Sequence, residues 1–361
     1  MLRVYNKAIL PAGFKASGIA CGIKKSGKLD LALFYSQAAC VAAVMSTTNK
    51  IQAASVIVNA GYLKAAKDFH AIIANSGNAN AFCGQAGIRD AQEMSRLAAK
   101  ILDVKKESVL VASTGIIGRR LAIEKIEAAV PELSAGLSNH GISKAKKAIM
   151  TTDKFAKDAT VKFDLHGKTV TVCAVAKGAG MIAPDMATML VFIFTDAVIS
   201  GAVLAHALKI AVANSFNNIT VDGCMSTNDT VICLANQVAA NSPIKAGKSF
   251  ALFLEALNII CVDLAKKIVR DGEGATKFIR IEVCGTKTPA EAKKIALSIA
   301  NSNLFKTAMF ASSSNVKGRI VAAAGAAGVG IKEQELKISF SPLQKKEVKT
   351  HFFRFPSSAG F

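Results

Sequence analysis

The strongest feature of the hydrophobic pattern is the unbroken apolar run Met189-Leu-Val-Phe-Ile-Phe194, entered from a glycine-punctuated stretch that begins at Lys177. In extended backbone Met189, Val191 and Ile193 share one face and Leu190, Phe192 and Phe194 the other, which predicts a strand buried on both sides. Helical periodicity is clearest over 248–270, where Phe253, Leu257, Ile260, Leu264 and Ile268 recur at spacings of four and three. The same period predicts helices over 87–101 (Met94, Leu97, Ala98 and Ile101 on one face), 121–130 with an interruption at Pro131, 141–150, 200–214, 289–300 and 319–326. Short strands are predicted at Ala54–Val58, His70–Ile73, Val109–Ala112 and Phe278–Val283. A hairpin is predicted where Val161, Phe163 and Leu165 alternate with polar residues and meet Val170 and Val172 across His166-Gly167-Lys168. Strands and helices follow one another in mixed order, without strict βαβ alternation, so the expected class is α+β. The chain shows no internal repeat and no linker rich in Pro, Gly or Ser. From about Ser341 the pattern loses any sustained period.

At 361 residues the chain exceeds the usual single-domain size, so two domains or one large layered domain are expected. With 51% hydrophobic and 19% charged residues it can bury a sizeable core, and it is too apolar for disorder. Mean hydropathy is +0.35. No apolar run nears the roughly 18 residues that span a bilayer, and residues 1–20 show no apolar segment ending in a cleavage site. The reading is a soluble cytosolic protein with no membrane partner.

The net charge is +20. Nucleic-acid binding is one reading of it, but the lysines are scattered singly or in pairs, aromatic residues do not interleave with them, and there is no Trp. A solvated basic surface is preferred, and an anionic small substrate fits the same sign. The eight cysteines form no CxxC pair and mostly lie in apolar contexts, as reduced buried thiols do. The five histidines are isolated, so no metal site is expected.

Chemistry is suggested by Thr188, a hydroxyl placed where the glycine-rich stretch enters the rigid strand. Taken alone, a threonine opening a buried strand is an ordinary β-former. A threonine hydroxyl becomes a competent nucleophile when the residue is a chain terminus and its own α-amine serves as base. Attack of Thr188 on the Ala187 carbonyl, followed by hydrolysis of the ester, would create that terminus, with Gly178, Gly180 and Pro184 shaping the loop.

The stretch Lys177-Gly-Ala-Gly-Met-Ile-Ala-Pro-Asp-Met-Ala-Thr-Met-Leu190 resembles the self-cleaving segment of the ornithine acetyltransferase family, the bifunctional glutamate N-acetyltransferases of arginine biosynthesis. Further segments resemble it in order. They include Gly13–Gly18, Thr47–Lys50, Asn75–Ala81, Ser113-Thr-Gly-Ile-Ile-Gly118, Met150-Thr-Thr-Asp153, Ser215–Gly223, Ser226-Thr-Asn-Asp229, Asp271-Gly-Glu-Gly-Ala-Thr-Lys277 and Lys306–Ala308. The resemblance implies an α+β, layered α/β/β/α-type sandwich with a smaller second domain. It also implies self-cleavage into an α chain (1–187) and a β chain (188–361) that stay together as an α2β2 assembly.

Position by position, the resemblance implies Thr188 as cleavage site and acetyl-accepting nucleophile, and Thr114 with Gly115 as the oxyanion pair. Thr151, Lys177 and Glu273 become substrate-binding residues, with Lys177 suited to a carboxylate and Glu273 to an amino group. Without it, Ser113–Gly115 would pass for a turn, Lys177 for a solvated lysine and Glu273 for a loop carboxylate. Asn75–Asn80 is read as a structural loop lining the site. The implied reaction is ping-pong: acetyl passes from N-acetylornithine to Thr188, ornithine leaves, and glutamate takes the acetyl group, with no metal and no bound cofactor. Bifunctional members also use acetyl-CoA as donor.

The chain departs from the family at Ser302-Asn-Leu-Phe-Lys-Thr-Ala308 (family Ser-Pro-Leu-Val-Lys-Thr-Ala). It departs again at Asn315-Val-Lys-Gly-Arg319, where the family has Asn-Trp-Gly-Arg and one residue is gained here. Past Ser341 no family segment carrying Asn and Thr contacts is recognisable. The alternatives are a self-processing N-terminal-nucleophile amidohydrolase or aminopeptidase, with water as acceptor, and a basic nucleic-acid-binding protein.

Overall fold

The computed structural model describes residues 2–183 and 189–342. Two compact units divide the chain between Ile281 and Glu282. The first contains strands β1 (Arg3–Tyr5), β2 (Phe14–Ile19) and β3 (Leu31–Ser46), helix α1 (Ala54–Ala65), β4 (Phe69–Asn78), α2 (Gly84–Leu102), β5 (Val109–Ile116), α3 (Ile123–Ala135) and α4 (Ile142–Ala148). It continues with β6 (Lys157–Leu165), β7 (Lys168–Lys177), β8 (Leu190–Thr195), α5 (Gly201–Ala213), β9 (Thr230–Ala235) and α6 (Lys248–Arg270).

The strands run β1-β6-β7-β8-β9-β3-β4-β5, with β2 on β3. β3 makes this one path into two layers. Its Leu31–Tyr35 part pairs with β2 and β4, the register breaks between Tyr35 and Cys40, and Val41–Ser46 pairs with β9. The irregularity lets one strand leave one sheet and enter the other. The sheets meet through aromatic rings: Phe34 lies 5.2 Å from both Phe192 and Phe194, and Phe14 lies 5.3 Å from Phe194.

β8 shows why its sequence is apolar throughout. Leu190, Phe192 and Phe194 enter the core between the sheets, while Met189, Val191 and Ile193 enter the core under α5 and α6. The α6 stripe Phe253, Leu257, Ile260, Leu264 and Ile268 is fully buried there. Residues of α1, α2, α3 and α4 pack on the other sheet. The unit is therefore layered helix–sheet–sheet–helix, as expected.

Among the described residues the second unit is helical: α7 (Pro289–Asn301), α8 (Asn303–Phe310) and α9 (Val316–Gly325). Thr288 and Glu291 form a capping box at the start of α7, with Pro289 in its first turn. Arg319 of α9 donates to Leu304 O (2.7 Å) and Thr307 Oγ1 (3.0 Å) of α8.

Several expectations need correction. Ala54–Val58 is the first part of α1, not a strand. Ser55, Asn59 and Tyr62 recur on its buried side, and Asn59 both donates to Val111 O and accepts from Val111 N. Tertiary contacts override β-branched propensity there. Pro131 sits inside α3 and does not interrupt it. The missing N–H costs about 3 kcal/mol in a helix interior, offset by the buried Ile126, Val130 and Leu133. Phe278–Val283 alternates correctly but forms no ladder among the described residues, and a strand exists only through a partner's hydrogen bonds. Asn75–Asn78 belongs to β4 and is not a loop. The hairpin is as expected, with Leu165 opposite Lys168 and both His166 (φ 54°) and Gly167 (φ 79°) left-handed. Cys40, Cys173, Cys233 and Cys261 are buried, whereas Cys224 and Cys284 are exposed.

Candidate active site

Parallel pairing of β4 with β5 sets Ser76 beside Thr114 and Gly77 beside Gly115. The two backbones come so close that a Cβ on Gly115 would lie 2.4 Å from the Gly77 carbonyl carbon, and Gly115 has φ 134°. Only glycine fits. Thr114 itself is buried near the end of β5, after Val109–Ala112 and the equally buried Ser113.

Antiparallel pairing of β7 with β8 places Lys177 opposite Leu190. The Lys177 side chain is 2% exposed, and its Nζ donates to Thr114 Oγ1 at 3.3 Å. Burial pushes this ammonium below the usual lysine range, against the pull of Asp153 and Asp229. Lys177 and Thr114, 63 residues apart, are thus brought together by the topology beside the first residue of β8.

Asp153 organises the adjoining wall. Its Oδ1 accepts from Gly178 N (2.7 Å) and Lys157 Nζ (2.6 Å), and its Oδ2 accepts from Thr151 N (3.0 Å). Burial alone would raise its pKa, but Lys177 and Lys157 hold the carboxyl below the usual range. Lys157 is completely buried and also reaches Asp271 Oδ2 at 2.6 Å, and Asp271 accepts from Lys154 N. One buried ammonium between two carboxylates therefore ties the Thr151 turn to the Asp271–Glu273 turn.

Glu273 N donates to Ala179 O (2.8 Å), and Glu273 Oε1 accepts from Thr152 Oγ1 (2.5 Å). A Cβ on Gly180 would lie 2.6 Å from Glu273 Oε1, so the glycine leaves the carboxylate room. Beyond it, Asp222 accepts from Met181 N (2.6 Å) and Ile182 N (3.0 Å). Asp229, fully buried at the entry to β9, accepts from Met189 N at 2.8 Å.

Ala187 and Thr188 lie outside the described residues. Of the remaining expected site residues, Thr114, Gly115 and Lys177 come together directly, and Thr151 and Glu273 join Lys177 through Asp153 and the 178–180 turn. The carboxylates Asp153, Asp222, Asp229 and Asp271 lie inside the family-like segments, yet the sequence alone points to no role for them. Asp153 and Asp229 close such segments and Asp271 opens one, but the hydrogen bonds they accept leave no periodic trace in the sequence. Among the described residues no cluster of His, Cys, Asp and Glu is arranged to hold a metal ion, and no helix is long and apolar enough to cross a membrane.

The sequence matches the ArgJ family over residues 15–352. The chain belongs to the ArgJ family. The arginine biosynthesis bifunctional protein ArgJ of Caldanaerobacter subterraneus subsp. tengcongensis is 45% identical over 358 residues, covering 98% of this chain and 88% of that protein. The same-named protein of Symbiobacterium thermophilum is 47% identical over 321 residues, covering 88% and 79%. A crystal structure of ornithine acetyltransferase from Mycobacterium tuberculosis, complexed with ornithine, is 37% identical. It covers 51% of this chain and 98% of that one, with a TM-score of 0.48. The family match runs past Ser341 into the tail, and it includes every residue of the site described above.

Proposed function

We propose that this ArgJ-family chain is the acyltransferase of arginine biosynthesis that moves acetyl from N-acetylornithine to glutamate through an ester on Thr188. The observation that carries this reading is the buried Lys177–Thr114 pair, held opposite the start of β8. Lys177 has only hydrogens to give, so its contact uses a lone pair of Thr114 Oγ1 and leaves the Thr114 hydroxyl hydrogen free to donate. That hydroxyl and the Gly115 N–H would then face the oxyanion formed when an acyl carbonyl is attacked at Thr188.

The sequence of events starts with the peptide bond before Thr188. The Thr188 hydroxyl attacks the Ala187 carbonyl, water hydrolyses the ester, and the freed α-amine becomes the base for catalysis. N-acetylornithine then acylates Thr188 Oγ: the new O–C bond forms, the amide C–N bond breaks, and ornithine leaves with the hydroxyl proton. Glutamate's amine reverses the step and departs as N-acetylglutamate. Lys177 would bind the substrate carboxylate, and its burial strengthens that attraction because water does not screen it. Glu273 would hold an ammonium group of ornithine, and Thr151 would line the same pocket.

Cleavage would give chains 1–187 and 188–361, assembled as α2β2, and acetyl-CoA would serve as a second donor, as family members of this kind do. The test is to incubate purified protein with N-acetylornithine and glutamate and follow both products. Equimolar ornithine and N-acetylglutamate, with parallel double-reciprocal lines, are expected. Release of free acetate without N-acetylglutamate would overturn the assignment in favour of a hydrolase.

A further inference from the structure

The loop joining β2 to β3 is folded around one completely buried carboxylate. Asp30 Oδ1 accepts from Cys21 N (2.6 Å) and Oδ2 from Lys24 N (2.8 Å), while Asp30 O accepts from Ser76 N of β4 (2.8 Å). The loop is thus fixed to the end of β4, and Lys24 is carried over Gly77. A Cβ on Gly77 would lie 3.0 Å from Lys24 Cγ, and Gly77 has φ 97°, so a glycine is what lets the lysine stem cross there. From that crossing the ammonium reaches Met150 O and Leu29 O, both at 2.7 Å. Met150 is the residue before Thr151. Hydrogen bonds from a charged donor are roughly twice as strong as neutral ones.

One side chain therefore touches both halves of the site. Its stem lies on Gly77, whose backbone packs against Gly115 of the oxyanion pair. Its head holds the turn of Thr151 and Asp153, and Asp153 accepts from Gly178 N beside Lys177. The charged groups acting on Lys24 are Asp30 and Lys28 of its own loop, Asp153 of the turn and Lys177 of β7. Two backbone carbonyls engage the ammonium, so its role is to tie segments together rather than to receive a substrate carboxylate. Another tie, from Ser76 Oγ to Ala148 O, secures the end of α4 but stops short of Met150.

We propose that Lys24 is a positioning residue for acetyl transfer: it sets the distance between the 151–153 turn, which holds the bound amino acid, and the Thr114–Gly115 pair, which meets the acyl oxygen. Without the tie the turn drifts while each half keeps its own contacts. Substrate still binds, but its acyl carbonyl is held off the oxyanion donors. Misplacement on the order of 1 Å costs about a hundredfold in rate. The loss falls on kcat, in both half-reactions, because donor and acceptor are held by the same turn. The inference rests on the substrate and oxyanion roles proposed above for Lys177, Thr151, Thr114 and Gly115.

Lys24→Met keeps the stem on Gly77 and removes the donor. Steady-state kinetics with N-acetylornithine and glutamate are expected to show kcat lowered about tenfold or more, with both KM values little changed. Lys24→Gln, whose amide nitrogen ends one atom short of the ammonium, is expected to show the same loss and stands in should the methionine variant not fold. Lys24→Arg, which keeps the charge and the donors, is expected to recover most of kcat. Hydrogen exchange should quicken at residues 150–153 in K24M and K24Q and stay as in wild type over β6 and β7. Wild-type kcat in either variant overturns the inference, as does unchanged exchange at 150–153. A raised KM at unchanged kcat also overturns it, making Lys24 a direct binder of the carboxylate. Lys177→Met with an unchanged KM would instead overturn the substrate reading beneath it.

Discussion

Lys177 is a charge held almost out of water by Thr114, Asp153 and Asp229, and the consequence is a pH limit on binding. Its pKa lies below that of an ordinary lysine because burial disfavours the ammonium. The charge that would bind a carboxylate is therefore present at low pH and lost as pH rises through the depressed value. KM for glutamate is expected to climb on the alkaline side, below the pH at which free lysine titrates. Lys177→Met is expected to show a high KM at every pH, and steady-state kinetics from pH 6 to 10 would check both. Gly180→Ala places a methyl group 2.6 Å from Glu273 Oε1. It is expected to displace that carboxylate and raise KM for N-acetylornithine by about tenfold, the loss of a single charge-assisted contact, with the melting temperature nearly unchanged. Lys177, Thr114 and Glu273 were legible in the sequence because their segments resemble a family. Asp153 and Asp229 were not, because they work by accepting backbone N–H bonds from Gly178 and Met189, and such bonds leave no periodic trace.

At the scale of elements, the apolar run of β8 and the α6 stripe were readable because each has a single period and burial to match it. Ala54–Val58 misled because β-branched residues on a helix buried on one side look like a short strand. Phe278–Val283 misled for the converse reason, since alternation is present without a neighbour among the described residues to complete a ladder. The turns after α4 and α6 were readable only as motifs, yet the buried Lys157 joins them through Asp153 and Asp271. Asp271→Ala would leave that ammonium with one carboxylate in a fully buried setting. Removing one partner of a buried ion pair costs about 3–5 kcal/mol. Denaturant unfolding is expected to show a loss of this size, and a change within 0.5 kcal/mol, about that of an ordinary surface substitution, would remove the network from the account of stability. Asp153 adds an acid limit. Its carboxyl is held below its ordinary pKa, so the stability it contributes is present above pH ~4 and is lost as pH falls through the depressed value.

For the molecule as a whole, the order of strands decides what cleavage would do. β8 and β9 follow residue 188, yet β8 is bonded to β7 on one side and β9 to β3 on the other, both from the segment before 188. Phe192 and Phe194 of the later segment also pack on Phe34 of the earlier one. Two products made by cutting at Ala187–Thr188 would share one sheet and one core, and they are expected to stay together until denatured. Native mass spectrometry should show both chains in one particle, and separation under native conditions would contradict this. The layered architecture was legible from the family resemblance, whereas the passage of β3 between sheets was not, because nothing in its composition marks where it changes partners.

Thr188 as a nucleophile made by self-cleavage is the claim on which the rest depends, and intact mass of the purified chain beside Thr188→Ala tests it most directly. Wild type should give two masses, those of residues 1–187 and 188–361, with Thr188 as the new N-terminus, while Thr188→Ala should give one uncut chain. A single full-length mass for wild type, or cleavage at the same bond in Thr188→Ala, would contradict it.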